Sequence, residues 1–175
     1  MNATKITTQI SNEANLLNIK KWDYGASFSS DFSVQVDKGE AKQLKASQKQ
    51  VITLRVWNKT NLVGITTTSD LSETGIRKAL NQANIASSFG NQNEITDFSP
   101  LAKIPIQVKE TDKKSPLGIK KLLKILREAE LKLIESHEAI KSIPYNGLSE
   151  SFYERIYANS DGALRNYSKS QAALY

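Results

Sequence analysis

Histidine, cysteine and paired carboxylates are the residues from which a catalytic or metal site is usually built, and this chain offers few of them. It contains one histidine and no cysteine among its 175 residues. The histidine stands in the segment His137-Glu138-Ala139-Ile140-Lys141, where Lys141 replaces the second histidine of a zincin helix motif. A catalytic zinc needs about three protein ligands. We therefore predict that His137 is a side chain at the edge of the apolar face of a helix.

Other catalytic motifs are missing from the sequence as well. A Ser-His-Asp site would have only His137 as its base, and no Gly-x-Ser-x-Gly turn is present to hold a nucleophile. Neither a Gly-x-Gly-x-x-Gly loop nor a Walker loop occurs, so no cradle for a nucleotide cofactor is predicted. Glu128 and Glu130 are close in sequence, but they face different sides of the helix that we expect there. The sequence thus predicts no catalytic, cofactor-binding or metal-binding residue.

The composition is typical of a globular protein that folds without covalent or metal crosslinks. Apolar residues make up 39% and charged residues 24% of the chain. The lack of cysteine excludes disulfide, thiolate and iron–sulfur chemistry. No stretch approaches the roughly 20 apolar residues of a membrane span, and residues 1–5 lack the apolar core of a signal peptide. We expect a cytoplasmic protein without a membrane partner.

The net charge of +6 comes mainly from a basic segment, residues 103–127. Its basic residues include Lys109, Lys113, Lys114, Lys120, Lys121, Lys124 and Arg127. Such a segment could neutralise phosphates and bind nucleic acid. However, these lysines flank an apolar stripe and lack interleaved aromatic residues, which favours a solvated helix face. We therefore expect no specific nucleic-acid partner, and a nucleic-acid binder is kept only as a third alternative.

Apolar periodicity predicts a helix followed by an antiparallel sheet. Residues 4–21 carry Ile6, Ile10, Ala14 and Leu17 at helical spacing. From Tyr24 to Val36 the period changes to two, which predicts a long strand with Phe32 in the core and Gln35 on the polar face. Shorter strands are predicted at residues 40–47, 51–57 and 62–68. Because the turns between them are short, the four strands should form an antiparallel meander.

Two further helices are predicted after the meander. Asp70 and Glu73 resemble a capping box at the start of a helix that ends at Gly90. Its buried stripe is predicted to be Ile76, Ala79, Leu80, Ala83 and Ala86. After an irregular connection, Ser115-Pro116 should start a long helix that ends before Pro144. The stripe of that helix is predicted to be Leu122, Leu126, Ala129, Leu133 and Ile140.

The predicted architecture is an α+β fold in which helices cover a four-stranded antiparallel meander, with a long third helix and a C-terminal β-hairpin. We expect one domain over residues 1–175. The meander and its capping helix occupy about residues 22–90, the long helix about 116–143 and the hairpin about 148–175. The last residues, Ala172 to Tyr175, are apolar. Such a strand favours a partner outside this chain, so we expect an N-terminal piece of a longer protein.

Three stretches of the sequence, taken in order, resemble the N-terminal domain of the TldD/PmbA family, the so-called modulators of DNA gyrase. The first is the turn Asp37-Lys38-Gly39-Glu40 after the long strand. The second is the strand-to-helix segment from Val63 to Ser72, and the third is the turn Ala158-Asn159-Ser160-Asp161-Gly162. The similarity covers about residues 10–175. Each motif is weak by itself, and the resemblance depends on their order and spacing.

The resemblance implies a cytoplasmic zinc metallopeptidase that cleaves peptides or unfolded proteins as a homo- or heterodimer. In that family the zinc ligands are a His-Glu-x-x-x-His motif and a later cysteine of the C-terminal half, and this sequence has neither. The resemblance therefore implies that zinc and catalysis belong to a C-terminal domain absent from this chain. It implies that the chain is inactive alone and helps to form the substrate chamber and the dimer. The alternative is a self-sufficient module that captures peptides or proteins on an exposed strand edge.

Overall fold

A computed structural model of the chain describes residues 2–90, 97–104 and 116–175. Its helices are α1 (Ala3–Leu16), α2 (Glu73–Ser87) and α3 (Ile119–Ser136), and a 3₁₀ helix covers Pro100–Lys103. Its strands are β1 (Lys21–Asp37), β2 (Glu40–Trp57), β3 (Val63–Thr68), β4 (Leu148–Asn159) and β5 (Leu164–Leu174). No helix in the described part of the chain is long and apolar enough to cross a membrane.

All five strands belong to one antiparallel sheet in the order β3-β2-β1-β4-β5. The predicted α+β fold is confirmed, but the strand count differs because the predicted strands 40–47 and 51–57 are one continuous strand, β2. The intervening residues 48–50 are Gln-Lys-Gln, which include no glycine or proline to turn the chain. The predicted meander thus has three strands, and the predicted hairpin joins the same sheet as β4 and β5.

The chain divides into two compact units, each drawn from several segments. Among the described residues, unit 1 takes its members from Met1–Phe28, Gln50–Lys109 and Glu154–Tyr167. Unit 2 takes its members from Ser29–Lys49, Glu110–Tyr153 and Ser168–Tyr175. Strands β1, β2, β4 and β5 contribute residues to both units. Each unit has its own cluster of buried apolar side chains.

The core of unit 1 is built by α1 and α2 together with the sheet. Its fully buried members include Ile10, Tyr24, Ile52, Leu54, Val56, Ile76, Leu80 and Ala83. Tyr24 of β1 occupies one of the even-numbered positions that the predicted alternation placed on the apolar face of that strand. Leu54 of β2 also occupies an even-numbered position. Between the two helices, Glu13 accepts a hydrogen bond from Arg77 Nε at 2.5 Å. The predicted stripe of α1 is confirmed at Ile6, Ile10 and Ala14, although the helix ends five residues earlier than predicted.

Helix α2 is capped by Ser72 rather than by Asp70, so the predicted cap was wrong by two residues. The Ser72 side chain accepts a hydrogen bond from the Gly75 amide at 3.1 Å. The Asp70 carboxylate instead accepts from the Ser72 amide at 2.9 Å, which is a turn preceding the helix. Both residue types can cap a helix, and the cap falls to the one directly before the first helical residue, Glu73. The predicted stripe is buried at Ile76, Ala79, Leu80 and Ala83, whereas Ala86 is half-buried.

The core of unit 2 joins α3 to β1 and β4. Its buried members are Val34, Val36, Leu122, Leu126 and Leu148. Phe32, predicted to be a core residue, is half-buried and packs at the margin of this cluster. The carboxylate of Glu130 on α3 is 3% exposed and accepts hydrogen bonds from the Lys38 amide at 3.1 Å and the Gly39 amide at 2.7 Å. This contact fixes the tip of the β1–β2 hairpin to α3.

Helix α3 is shorter than predicted at both ends. It begins at Ile119 after Gly118, whose φ is 77°, and it ends at Ser136. Helices in proteins gain most of their stability from packing of an apolar face, and the last buried residue of α3 is Glu130. Leu133 is 51% exposed, so its predicted place in the buried stripe was wrong. After Glu130 the residues up to 143 are exposed or half-buried, so less burial of apolar side chains supports a longer helix.

The C-terminal hairpin was predicted correctly. The turn between β4 and β5 contains Gly162 with a φ of 90°, and the side chain of Asn159 accepts hydrogen bonds from the amides of Asp161 and Ala163. Tyr175 and Gly147 exchange two backbone hydrogen bonds of 2.8 and 3.0 Å. Of the predicted irregular connection, residues 91–96 and 105–115 lie outside the described residues. That part includes Lys109, Lys113 and Lys114 of the predicted basic segment.

Gly64 of β3 lies in close contact with the backbone of α2. A Cβ atom at this position would overlap the carbonyl oxygen of Ala83 and the backbone nitrogen of Ser87, both in α2. Gly64→Ala should therefore destabilise the protein by at least about 1–3 kcal/mol, because neither backbone can move without breaking helical hydrogen bonds. Gly25→Ala is the matched control, since nothing lies within 4 Å of its added Cβ atom. Urea unfolding measures both changes, and equal midpoints for the two variants would contradict this packing.

Candidate functional site

An ion pair between a buried carboxylate and a partly exposed guanidinium lies on the face of the unit 1 sheet opposite the apolar core. Asp23 of β1 is 1% exposed and accepts hydrogen bonds from Arg55 of β2 on both carboxylate oxygens, with the Nε contact at 2.8 Å. The hydroxyl of Tyr157 on β4 donates to the same carboxylate at 3.2 Å. All three residues occupy odd positions, whereas the residues that β1, β2 and β4 contribute to the core occupy even ones. The bidentate geometry fixes the guanidinium in one orientation.

Two aromatic rings and two cations extend this cluster. The Arg55 guanidinium lies 5.3 Å from the centre of the Trp57 ring, which is itself buried. The Lys21 ammonium lies 5.4 Å from the Trp57 ring and 5.2 Å from the Phe98 ring, and the two rings meet edge to face at 5.0 Å. Lys21 also pairs with Asp97 at 3.1 Å. Cation and ring are both partly desolvated here, which is where such contacts are strongest.

Residues 97–104 lie against the same part of unit 1. Asp97 and Phe98 contact Lys21, as described above. The 3₁₀ helix that follows them is bound by the guanidinium of Arg165. One Arg165 nitrogen donates to the carbonyl oxygens of Leu101 at 2.8 Å and Ala102 at 2.9 Å, and also to Ile104. These carbonyls carry the partial negative charge at the end of a helical turn, which favours a cation. The segment is therefore fastened through side chains of both β1 and β5.

The surroundings of Arg55 and Tyr157 shift the pKa values of both side chains. Hydrogen bonding to Asp23 raises the pKa of Arg55 above its ordinary value. Burial raises the pKa of the Tyr157 hydroxyl, and the negative charge of Asp23 raises it further. Arg55 thus stays charged and Tyr157 stays neutral across the physiological range. General acid–base catalysis requires a group that titrates near the working pH, and Arg55 and Tyr157 do not supply one.

A shallow groove of about 520 Å³ lies on unit 2. The residues that line it include four serines (Ser33, Ser47, Ser149 and Ser151), the charged residues Asp31 and Lys45, and the apolar residues Phe32 and Leu44. Ser47 donates a hydrogen bond to Asp31 at 3.5 Å. The volume is within the range of ligand-binding pockets. No histidine lines the groove, so its serines cannot form a Ser-His pair there.

The residues singled out by the sequence do not assemble into a site. His137 lies after the end of α3 in an extended conformation, not on the helix as predicted, and its Nδ1 accepts a hydrogen bond from the Ala139 amide at 3.1 Å. Glu128 is exposed and Glu130 is buried, which confirms that they face different ways. The described residues provide no group of three or more histidine, cysteine or acidic side chains placed to hold a metal. This donor set does not fit zinc.

The basic residues of α3 within the described part of the chain are solvated. Lys120, Lys121 and Lys124 are exposed, and Lys124 lies 3.9 Å from Glu128 one turn away. Arg127 lies 3.7 Å from Glu40 of β2. No aromatic side chain is interleaved with these cations along the helix. This is the solvated face that the sequence predicted.

Sequence reasoning missed the Asp23–Arg55 pair. A signal exists, because Asp23 stands between Trp22 and Tyr24 at the start of the alternating strand, where a charge needs a partner. Arg55 likewise stands between the apolar Leu54 and Val56. The alternation within each strand assigns Asp23 and Arg55 to the polar face. Whether the two residues meet depends on how β1 and β2 are aligned, and this alignment is set by contacts between residues far apart in sequence.

Comparison with known protein families and structures finds the same family twice. The family model for PmbA/TldA metallopeptidase domain 1 matches residues 25–86, and the model for the PmbA/TldA metallopeptidase central domain matches residues 112–175. Together they cover more than two thirds of the chain. No curated protein matches the sequence significantly.

Two crystal structures share the fold. One is a Thermotoga maritima protein described as a proposed modulator of a DNA gyrase, with a TM-score of 0.63 and 12% identity over 98% of this chain. The other is TldE from Thermococcus kodakarensis, with a TM-score of 0.63 and 16% identity over 99% of this chain. At these identities the likeness shows the fold alone. The chain spans 38% of the length of each of these proteins.

The ion pair of Asp23 and Arg55 predicts that two arginine-to-alanine substitutions differ greatly in how far they lower the stability of the protein. Arg55→Ala should destabilise the protein by about 3–5 kcal/mol, because it leaves the Asp23 carboxylate buried without its partner. Arg127→Ala removes an exposed pair at 3.7 Å and should cost less than about 1 kcal/mol. Adding Asp23→Asn to Arg55→Ala should restore part of the loss. Denaturant unfolding measures all three variants, and a double variant no more stable than Arg55→Ala would contradict the ion-pair account.

The raised pKa of Tyr157 predicts a loss of stability at alkaline pH. In the unfolded chain this hydroxyl ionises near pH 10, whereas the folded protein favours its neutral form. Its contribution is therefore complete below about pH 10 and is lost as the pH rises through the higher folded pKa. The stability difference between the unmodified protein and Tyr157→Phe should shrink above that pH. Tyr145→Phe, at a position 89% exposed, is the control, and parallel profiles for the two variants would contradict the prediction.

Proposed function

The chain belongs to the TldD/PmbA family, and on this premise we propose that its 175 residues serve as the non-catalytic part of a zinc metallopeptidase acting on peptides or unfolded proteins. The observation that carries the proposal is the pair of matches to metallopeptidase domains, at residues 25–86 and 112–175. These matches coincide with a donor set that does not fit zinc. The metal and the residues that use it would then belong to sequence beyond these 175 residues. We place the protein in the cytoplasm.

The groove on unit 2 supports a role in holding substrate. Four serine hydroxyls line it and can both donate to and accept from a peptide backbone. Backbone recognition of this kind does not depend on substrate sequence, which suits extended or unfolded polypeptides. The groove would form part of the wall of a substrate chamber. Its aspartate and lysine add a preference for charged side chains of either sign.

The β4–β5 hairpin supports a role in assembly. Strand β5 lies at one end of the sheet, and Leu164, Tyr167 and Leu174 are each more than 40% exposed. An edge strand with exposed apolar and aromatic side chains recruits another strand or subunit. We assign the dimer contact of the peptidase to this hairpin. The same edge favours the second candidate, a self-sufficient module that captures a peptide or protein partner without a metallopeptidase.

The two candidates differ in metal content and activity. The purified 175-residue chain should hold no stoichiometric zinc after dialysis and should not cleave denatured casein, since His137 is its single histidine. The product of the complete reading frame should hold zinc and cleave the same substrate, and replacing the first histidine of its His-Glu-x-x-x-His motif with alanine should abolish both. Zinc held tightly by the 175-residue chain would overturn the proposal. A complete frame without such a motif would favour the binding module.

A further inference from the structure

Strand β2 extends well beyond its outer neighbour. Its pairing with β3 runs only from Ile52↔Thr68 to Trp57↔Val63. The other neighbour of β2 in the sheet is β1. Along residues 40–49, which belong to unit 2, the outer edge therefore has no neighbouring strand within residues 2–90, 97–104 and 116–175. We call Glu40–Lys49 the basic edge.

The basic edge has the properties of a strand that can accept another one. Every residue in it is exposed, so both faces of the strand are open to solvent. It contains neither proline nor glycine, which would remove a backbone donor or bend the strand. Its outward amide and carbonyl groups are a template for an added strand. Natural proteins often carry lysine on such edges, where it opposes pairing with another edge, and three lysines occur here.

The charges on the basic edge select the partner. Glu40 is paired with Arg127 at 3.7 Å, so its negative charge is already compensated. Lys42 donates to the Pro144 carbonyl at 3.2 Å, whereas Lys45 and Lys49 have no carboxylate partner among the described residues. A second copy of the same edge would bring lysine against lysine, which is unfavourable across paired strands. An acidic strand would bring carboxylates to those lysines.

The groove of about 520 Å³ adjoins the basic edge, because residues 44–47 line it. Side chains of an added strand alternate between the two faces, so every second one would point towards the groove face. The residues that line the groove beside the edge include the apolar Leu44 and the polar Ser47. An added strand thus finds backbone partners at the edge and side-chain contacts on one face.

We propose that the basic edge, Glu40–Lys49, is a docking site for an extended acidic polypeptide segment, which adds to the sheet as a strand and pairs its carboxylates with Lys45 and Lys49. The site is independent of the proposed peptidase role and of the β5 edge. It requires only the open backbone of β2 and the uncompensated charge of the two lysines.

The test uses the full 175-residue chain and labelled peptides of about ten residues, followed by fluorescence anisotropy. A peptide of alternating glutamate and threonine should bind, and its affinity should fall as salt is raised from roughly 0.05 to 0.3 M. The matching lysine and threonine peptide should bind at least about tenfold more weakly. Equal binding of the two peptides would overturn the proposal.

Matched variants locate the site. Lys45→Glu with Lys49→Glu should lower the affinity for the acidic peptide at least about tenfold, because attraction becomes repulsion. Lys120→Glu with Lys121→Glu makes the same change of charge on exposed positions of α3 and should preserve binding. Circular dichroism checks that both variants are folded. If the two double variants bind equally well, the basic edge is not the site.

Backbone methylation separates strand addition from simple charge attraction. Only every second amide of an added strand faces the edge, so two acidic peptides are methylated at alternate nitrogens in opposite phases. One phase should lose binding and the other should keep it. Equal binding of both phases would show attraction without strand addition and would overturn the proposal. Sedimentation without peptide tests whether the edge instead pairs with a second copy of the chain. Self-association that is abolished by Lys45→Glu with Lys49→Glu would show such pairing and would overturn the proposal.

Discussion

The alternation of side chains along β1 sets the register of both apolar cores and of the Asp23–Arg55 pair. In a strand, successive side chains point to opposite faces. Even positions of β1 supply Tyr24 to the core of unit 1 and Val34 and Val36 to the core of unit 2. The odd position Asp23 supplies the buried carboxylate on the opposite face. A shift of one residue would place Asp23 in the apolar core and expose Tyr24, so both faces enforce the same register.

In unit 2 the same strand also positions α3, through the turn that follows it. Lys38 and Gly39 have positive φ values of 51° and 79°, and this conformation points two successive amides at the Glu130 carboxylate. Consecutive amides arranged in this way form a binding concavity for an anion. Asn146 adds to the arrangement, since its oxygen accepts a hydrogen bond from the Val36 amide at 3.1 Å. The position of α3 thus depends on a charge held by backbone, in addition to the apolar contacts of Leu122 and Leu126.

Local patterns predicted the parts of the fold that local forces decide. The alternation of β1, the stripe of α2 and the turn at Asn159 each follow from residues near one another in sequence, and all three were found. The end of α3 was missed because it depends on where the core contacts stop, at Glu130. The continuity of β2 was missed because pairing with β1, rather than local propensity, carries the strand through residues 48–50. The Asp23–Arg55 pair was invisible for the same reason, since only the register of two long strands brings the residues together.

The two units differ in how their described charges are paired. In unit 1 Asp23 pairs with Arg55 and Lys21 pairs with Asp97, and the protonation of Arg55 and Tyr157 does not change near neutral pH. In unit 2 the serines of the groove have no histidine beside them. Lys45 and Lys49, by contrast, have no described carboxylate to compensate them and stand on an open strand. Uncompensated charge on an open strand favours an extended ligand of opposite sign, which is the basis of the docking site that we propose at Glu40–Lys49.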